Sequence, residues 1–433
     1  MSEPRRDQYD AAIVGASLAG STAAILLGRA GARVALIDQR MEQSAFKRVC
    51  SHYIQSSAVP TLERAGLLEP MMRAGAIRSR ARLWTRWGWI EPTENHRVPS
   101  GVNLRRELLD PLVREVAAET PGVELMLGET AEELLRDATG SIEGVQARDR
   151  EGARRQLTAR LVIGADGRGS RVAKLAGVQT KTVPHGRFAY GGYFEGPAPA
   201  GAPDAALWLL DPHMAAAFPT DSGLTFYACM PTKERLPEFR TDPEGALRAF
   251  LAAIPDAPPI AASRVVARGE DKPIIGKIDM TNVAHEPIAP GLALIGDAAL
   301  AIDPLWGVGC GWAFQSAEWL AEGVAPALLG SEPMAGGLAR YRRAHRRALR
   351  GHAAMIYDYA DGRKFNRGER VLFSAAAKDE RVARVFEAFG SRNIGPARMF
   401  ATGVPLALAA HAKSAWGSRS APARTVETMT VEG

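Results

Sequence analysis

Tyr9-Asp10-Ala11-Ala12-Ile13-Val14-Gly15-Ala16-Ser17-Leu18-Ala19-Gly20 is an apolar strand that runs into a glycine-bounded turn and then into an alanine- and leucine-rich segment. That segment reads as a helix to Ala30, stopped by Gly31. Arg33-Val34-Ala35-Leu36-Ile37 reads as a second strand, with Asp38 at its carboxyl end. Strand, tight turn, helix and strand in this order form a βαβ unit, whose parallel strands are buried on both faces. A helix N-terminus presents unpaired N–H groups and the positive end of its dipole, and glycine lets an anion come close to them. The spacing therefore predicts a pyrophosphate at Gly15, Ser17, Ala19 and Gly20, with Asp38 bonding ribose hydroxyls. Ser17 stands where the dinucleotide fingerprint has glycine. The run Gly-x-Ser-x-x-Gly is also one residue too long for the nucleophile elbow of a hydrolase.

Outward from this unit, residues 46–68 read as loop followed by helix, and 82–90 and 97–104 alternate like strands. Residues 106–118 form a helical pattern. Segments 123–127, 142–148 and 154–161 suggest a small meander feeding a buried strand at 161–165. From about 187 to 278 the texture changes to short strands separated by Gly, Pro and Asp: 188–194, 206–210, 214–218, 224–229 and 265–268. That pattern predicts an antiparallel sheet in a separate layer. A buried strand returns at 292–295, helices follow at 311–329 and 339–359, and the tail from about Ser414 is expected to be disordered.

The whole chain of 433 residues, 46% hydrophobic and 24% charged, has the composition of a globular protein with material for two or three domains. Its formal charge of +6 is not gathered into the basic, aromatic-interleaved run that tracks a nucleic-acid backbone. Arg340, Arg342, Arg343, His345, Arg346, Arg347 and Arg350 read as the solvated face of one helix. No apolar stretch is long enough for a membrane span, and no secretory leader is recognised, so neither nucleic acid nor membrane is an expected partner. Cys50, Cys229 and Cys310 are far apart and form no CxxC pair. Neither a disulfide framework nor a metal site is expected, and a reducing cytoplasm is the default.

Two further segments place an acid and a glycine where a buried strand ends, the usual ligand position of parallel α/β sheets. One is Ile163-Gly164-Ala165-Asp166-Gly167. The other is Leu294-Ile295-Gly296-Asp297-Ala298, continued by Asp303-Pro304-Leu305-Trp306-Gly307-Val308-Gly309-Cys310-Gly311. Asp166-Gly167 taken alone also reads as a simple turn.

In this order and at these separations, the three motifs resemble those of the p-hydroxybenzoate-hydroxylase-like FAD-dependent oxidoreductases. That superfamily includes aromatic hydroxylases, epoxidases, geranylgeranyl reductases and flavin halogenases. The resemblance covers about residues 9–329. Phe46-Lys47-Arg48-Val49-Cys50 and the Asp303-Pro304 segment, with Gly307, Gly309 and Gly311, are similar to the geranylgeranyl-reductase branch, which includes many monooxygenases of secondary metabolism and antibiotic biosynthesis. The implied fold class is α/β: a doubly wound FAD-binding domain (1–80, 98–180 and 286–335), an inserted antiparallel substrate sheet (81–97 and 181–285) and a helical C-terminus with a flexible tail (336–433). The implied cofactors are FAD and NAD(P)H. Gly296 and Asp297 would meet the ribityl or ribose part of FAD. Pro304 and the backbone of Gly307, Gly309 and Gly311 would border the isoalloxazine. Asp166 would lie on the pyrophosphate side, and Arg48 and Arg106 would lean toward the cofactor.

His52, near the expected flavin front, is a candidate general base, although a hydrogen-bonded structural histidine is the commoner outcome. Cys50 is expected to be a small buried residue rather than a nucleophile. Trp84, Trp87, Trp89, Trp208 and Trp306 line an aromatic pocket or simply pack. The expected activity is monooxygenation. Reduced FAD would react with dioxygen to a C4a-hydroperoxide that oxidises an organic, aromatic or polyketide-like substrate. The reductant is NAD(P)H, docking transiently because no second glycine fingerprint exists, or a separate flavin reductase. Reduction of isoprenoid double bonds, halogenation and a non-catalytic flavoprotein are the alternatives. Against halogenation, Trp87-Gly88-Trp89-Ile90-Glu91-Pro92 is out of register with the Trp-x-Trp-x-Ile-Pro signature.

Overall fold

A computed structural model describes residues 5–48, 50–93, 98–267 and 272–420. Its main sheet carries five parallel strands in the order Leu292–Leu294, Arg154–Gly164, Arg5–Val14, Val34–Asp38 and Val123–Leu127. Ile288–Ala289 joins antiparallel at one edge. The strands are apolar on both faces because both are covered. Ala11 and Ile13 pack with the helices Leu18–Arg29, Arg106–Glu119 and Gly309–Leu328. Ala12, Val14 and Ile37 pack with a meander and with Val172 and Ala173 of the short helix Arg171–Ala176.

The expected meander is real, but its membership differs. Thr130–Arg136, Ile142–Arg148 and Arg154–Gly164 form it, and the last is one strand of 11 residues. Val123–Leu127 instead extends the parallel sheet beside Val34–Asp38. A five-residue strand, apolar but for Glu124, carries no sign of its direction, so only tertiary pairing decides it.

The second sheet runs Arg264–Val265, Ala189–Glu195, Leu224–Met230, Met214–Pro219, Ala205–Leu209, Ala81–Thr85 and Gly88–Ile90, with Ile274–Lys277 also beside Ala189–Glu195. Its pairings are antiparallel except one: Ala205–Leu209 lies parallel to Ala81–Thr85. The helices Met334–Ala360, Arg367–Ala376, Glu380–Gly390 and Pro396–Ser420 follow. Phe365, Phe373, Phe386 and Met399 of this region pack with Leu83, Ile90, Leu209 and Met230 of the second sheet. The tail is therefore helical to Ser420 rather than disordered from Ser414, and residues 421–433 lie outside the described residues. On the long basic helix, Arg342 and Arg346 pair with Glu286, while His345 is buried.

Candidate functional site

Register brings the three motifs to one rim. Val14 pairs with Ile37 and with Gly164, and Gly164 pairs with Leu294, so Gly15, Asp38, Asp166, Gly296 and Asp297 all follow strands that end together. Gly15 has φ +108°, a conformation that favours glycine, and a Cβ there would press on the Ala165 carbonyl. Gly20 behaves differently from expectation. A Cβ on it would overlap the Gly15 carbonyl oxygen and reach 3.1 Å from the Ala165 Cβ. Its close approach is therefore between helix, turn and strand, not only between helix and ligand. Gly296 plays a similar part, because a Cβ there would stand 2.9 Å from that of Ala19.

Ser17 begins the first helix without capping it by its side chain. Its hydroxyl instead accepts a hydrogen bond from Arg106 Nη2 at 2.9 Å. Arg106 is buried on Asp110, donating from Nε at 2.9 Å and from Nη2 at 2.6 Å to Oδ1. The other oxygen of Asp110 accepts the Lys47 backbone N–H at 2.8 Å. This network fixes the loop after Phe46 over the glycine turn. Arg114, also buried, adds a bond from Nε to the Ala16 carbonyl at 3.0 Å and reaches the carbonyls of Gln43 and Ala45. With the serine engaged elsewhere, the N–H groups of the first helical turn remain for an anionic ligand.

Asp38 accepts the Ala16 N–H at 2.8 Å and is held by Arg40. Burial raises its pKa, but Arg40 and the two backbone N–H groups outweigh it and keep the group below the usual carboxylate range. Across the rim, Lys47 Nζ meets Asp297 Oδ2 at 2.9 Å. Asp297 raises the lysine pKa. In turn Lys47 and then Arg168 depress that of Asp297 against the effect of burial. Asp166 is engaged locally: it accepts Ser170 Oγ at 2.6 Å and the Val172 N–H at 3.0 Å, anchoring the turn into the short helix.

Gly309, Cys310 and Gly311 open the helix that ends at Leu328, where the dipole favours negative charge. Gly307 has φ +61°. A Cβ on Gly309 would meet nothing nearer than Asp297 Oδ1 at 4.0 Å. Packing therefore does not demand glycine there, and the space before the helix is open to a ligand. Pro304 is exposed in the preceding single turn, and Arg48 is exposed on the opposite loop, beside Val49, which lies outside the described residues.

Two cysteines 260 residues apart meet here, Cys50 Sγ lying 3.5 Å from Cys310 Sγ. Arg106 Nη1 is 3.7 Å from the first sulfur and 4.0 Å from the second. The hydrogen bond from Cys310 and the guanidinium charge hold the Cys50 thiol well below its usual pKa despite burial. The same hydrogen bond, reinforced by burial, pushes Cys310 up. Cys50 is thus the favoured thiolate of the pair.

His52 is fully buried, with φ +49°. Its Nδ1 lies 2.5 Å from Asn103 Oδ1, and its ring stacks on Tyr193 at 5.5 Å. Burial pushes its pKa down to about 4, so it is neutral near pH 7. His52 is packed against Tyr193 and Phe226 of the second sheet and is not among the residues lining the cavity described next.

A cavity of about 500 Å³ opens beside the glycine segment. Tyr53, Trp306 and Gly307 form one end, Leu83 and Phe218 of the second sheet form a wall, and the C-terminal helices close it through residues such as Phe389. Of Trp84, Trp87, Trp89, Trp208 and Trp306, only Trp306 lines it. The Trp87–Pro92 stretch is a brace. Arg82 pairs with Glu91 and sits 4.0 Å over the Trp89 ring, whose Nε1 donates to Asp256 at 2.9 Å. A second hollow of about 490 Å³, beside Phe250, contains none of the motif residues.

The donors and open space on this rim fit a bound dinucleotide: unclaimed N–H groups at two helix starts, carboxylates at Asp38 and Asp297, and glycines with free space in front. Sequence reasoning missed Arg40, Asp110, Arg114, the Lys47–Asp297 pair and the Cys50–Cys310 pair. Only Asp110 had a local signal, four helical residues from Arg106. No helix among the described residues is long and apolar enough to cross a membrane, and no cluster of His, Cys, Asp and Glu suited to a metal occurs among them.

Residues 8–355 match a family described as FAD binding domain. Digeranylgeranylglycerophospholipid reductase of Methanothrix thermoacetophila is 26% identical over 356 residues, covering 78% of this chain and 83% of the relative. Among solved structures, PqsL, a probable FAD-dependent monooxygenase from Pseudomonas aeruginosa, shares the fold with a TM-score of 0.69 and 24% identity, over 88% of this chain and all of that one (100%). The myxobacterial chondrochloren halogenase CndH superposes with a TM-score of 0.71 at 20% identity, over 91% of this chain and 99% of that one.

Proposed function

The chain belongs to the FAD binding domain family as an FAD-dependent oxidoreductase, and from that premise we propose that it is an NAD(P)H-dependent monooxygenase of an apolar organic substrate. The observation that carries this reading is the cavity of about 500 Å³ that begins at Trp306 and Gly307 and ends among the C-terminal helices. Apolar walls next to a redox cofactor exclude water from a reacting substrate. The turn from Gly15 to Gly20 and Asp38 would hold the adenosine half of FAD. Asp297, Arg106 and the N–H groups of Gly309, Cys310 and Gly311 would hold the flavin half. FAD held there would, once reduced, supply the two electrons that activate dioxygen. The helix N-terminus at Gly309 favours the negative charge that reduction brings. NAD(P)H would dock transiently, or a flavin reductase would deliver the electrons.

The test is turnover of a panel of aromatic and polyketide-like compounds with NAD(P)H and isotopically labelled dioxygen. One labelled oxygen atom in the product supports the reading. A product that gains only two hydrogens, and forms without air, replaces it with reduction of a double bond. That second reading is favoured by the apolar lip of the cavity, where Phe400 and Leu408 are exposed, and by the reductase relative. Halogenation is not assigned: Lys47, the lysine such a reading would need, is paired with Asp297.

A further inference from the structure

The same cavity is mostly carbon-lined, yet four of its lining residues each carry a buried polar atom with no hydrogen-bond partner: His352 Nδ1, Tyr359 Oη, Glu387 Oε1 and Arg392 Nε. Buried polar atoms are normally satisfied, so four around one hollow point to groups that a ligand would bring. Arg392 stands in a demanding place. It follows the helix Glu380–Gly390 with φ +64°, a conformation in which glycine is the usual residue after a helix end. Its Nη1 donates to the Phe389 carbonyl at 3.1 Å, and its Cζ lies 5.6 Å from the Phe389 ring centre. Burial pushes its pKa down, with no carboxylate to offset that effect.

His352 stacks on the same Phe389 ring at 5.1 Å. Burial, reinforced by the charge of Arg392, pushes it down to about 3, so it adds no charge of its own. Glu387 is tethered by Oε2, which accepts the Thr93 N–H at 3.1 Å and its hydroxyl at 3.0 Å, and Oε1 is left over. The turn that carries Arg392 is fastened to the cofactor side. Gln55 Nε2 donates to the carbonyls of Trp306 and Gly390 at 3.0 and 3.1 Å, and Asn393 Nδ2 donates to Ser56 Oγ at 2.8 Å.

We propose that this cavity recognises an apolar skeleton carrying two polar ends, a carboxylate that pairs with Arg392 and a hydroxyl that donates to Glu387. A guanidinium fork suits a carboxylate, and a half-buried arginine whose Nε has no partner gains most when one arrives. The free carboxylate oxygen of Glu387 is an acceptor awaiting a donor. The inference rests on reading the cavity as the substrate site.

Calorimetric titration of the FAD-loaded enzyme with 6-hydroxy-2-naphthoate, 2-naphthoate and 6-hydroxy-2-naphthamide tests it. The hydroxy acid should bind at least tenfold tighter than the amide, and that gap should vanish in Arg392→Met. It should also bind at least threefold tighter than 2-naphthoate, a gap that should vanish in Glu387→Gln, which keeps an oxygen for Thr93. Equal binding of acid and amide, a gap that survives Arg392→Met, or no saturable binding of either acid overturns the proposal. Arg392-dependent binding without labelled oxygen in any product leaves this inference standing and removes the monooxygenase reading. Oxygenation of neutral substrates with no acid preference does the reverse.

Discussion

Lys47 and Asp297 stand 250 residues apart in the chain and meet at 2.9 Å across the rim where three parallel strands end. The pair joins the loop after Phe46 to the segment after Leu294, so both sides of the expected flavin site are held by one contact. Replacing Asp297 by alanine removes the anchor of the lysine and a charge-assisted acceptor for a cofactor hydroxyl. FAD affinity should fall by about 1.5–3 kcal/mol, roughly ten- to a hundredfold, in a flavin titration. Asp166→Ala should leave that affinity near wild type and lower thermal stability instead, because its carboxylate binds Ser170 and Val172. Equal affinities in the two variants would contradict this assignment.

Gly20 and Gly309 separate two kinds of glycine. Gly20→Val forces carbon onto the Gly15 carbonyl, so the expected result is loss of the native circular dichroism spectrum, not merely of flavin. Gly309→Ala meets only open space within the protein and should fold with an unchanged melting temperature while retaining less FAD after gel filtration. An alanine variant that keeps full flavin content would show that the cofactor does not approach this helix.

The βαβ unit and its three motifs were legible because each is local: a strand, a turn and an acid within a few residues of one another. Longer-range facts were not. Nothing near Cys50 announces Cys310, and nothing near Lys47 announces Asp297, since the sheet register that unites them is set by pairings far along the chain. The part Gly20 plays in packing was hidden for a related reason: a glycine needed for protein contact and one needed for ligand contact leave the same letter. His52 looked chemical from its neighbours in sequence, while its burial depends on Tyr193 and Phe226 of the second sheet.

Cysteine labelling should follow the unequal thiols. At pH 7 iodoacetamide should modify Cys50 first, with Cys229 protected because burial pushes its thiol up. In Cys310→Ala the Cys50 thiol loses its donor, and its labelling rate should drop severalfold at pH 7 and recover at higher pH. Mass spectrometry of timed samples reads both. Faster labelling of Cys229 than of Cys50 would be the contrary result.

Acid should destabilise the fold early. Burial pushes His52, His185 and His345 down to about 4, and His352 to about 3, so the folded chain holds them neutral where the unfolded chain protonates them near 6.5. Stability from these depressed groups is present above pH 6.5 and is lost as pH falls toward 4. Each contributes up to about 1.4 kcal/mol per pH unit within that window. Melting temperature measured from pH 7.5 to 4.5 should drop steeply below 6.5, and a flat profile between 7 and 5 would refute the four burials.

The side-chain amide of Gln55, bonded at once to Trp306 and Gly390, sets an order of inheritance for this architecture. The candidate cofactor rim is complete within about the first 330 residues, whereas the far wall of the cavity belongs to the last hundred or so. Selection on that bundle can therefore retune which molecule is admitted without disturbing the redox apparatus, provided the glutamine's two carbonyl partners stay in place. Exchanging the terminal helices between homologues is, on this geometry, a transplant of taste rather than of chemistry.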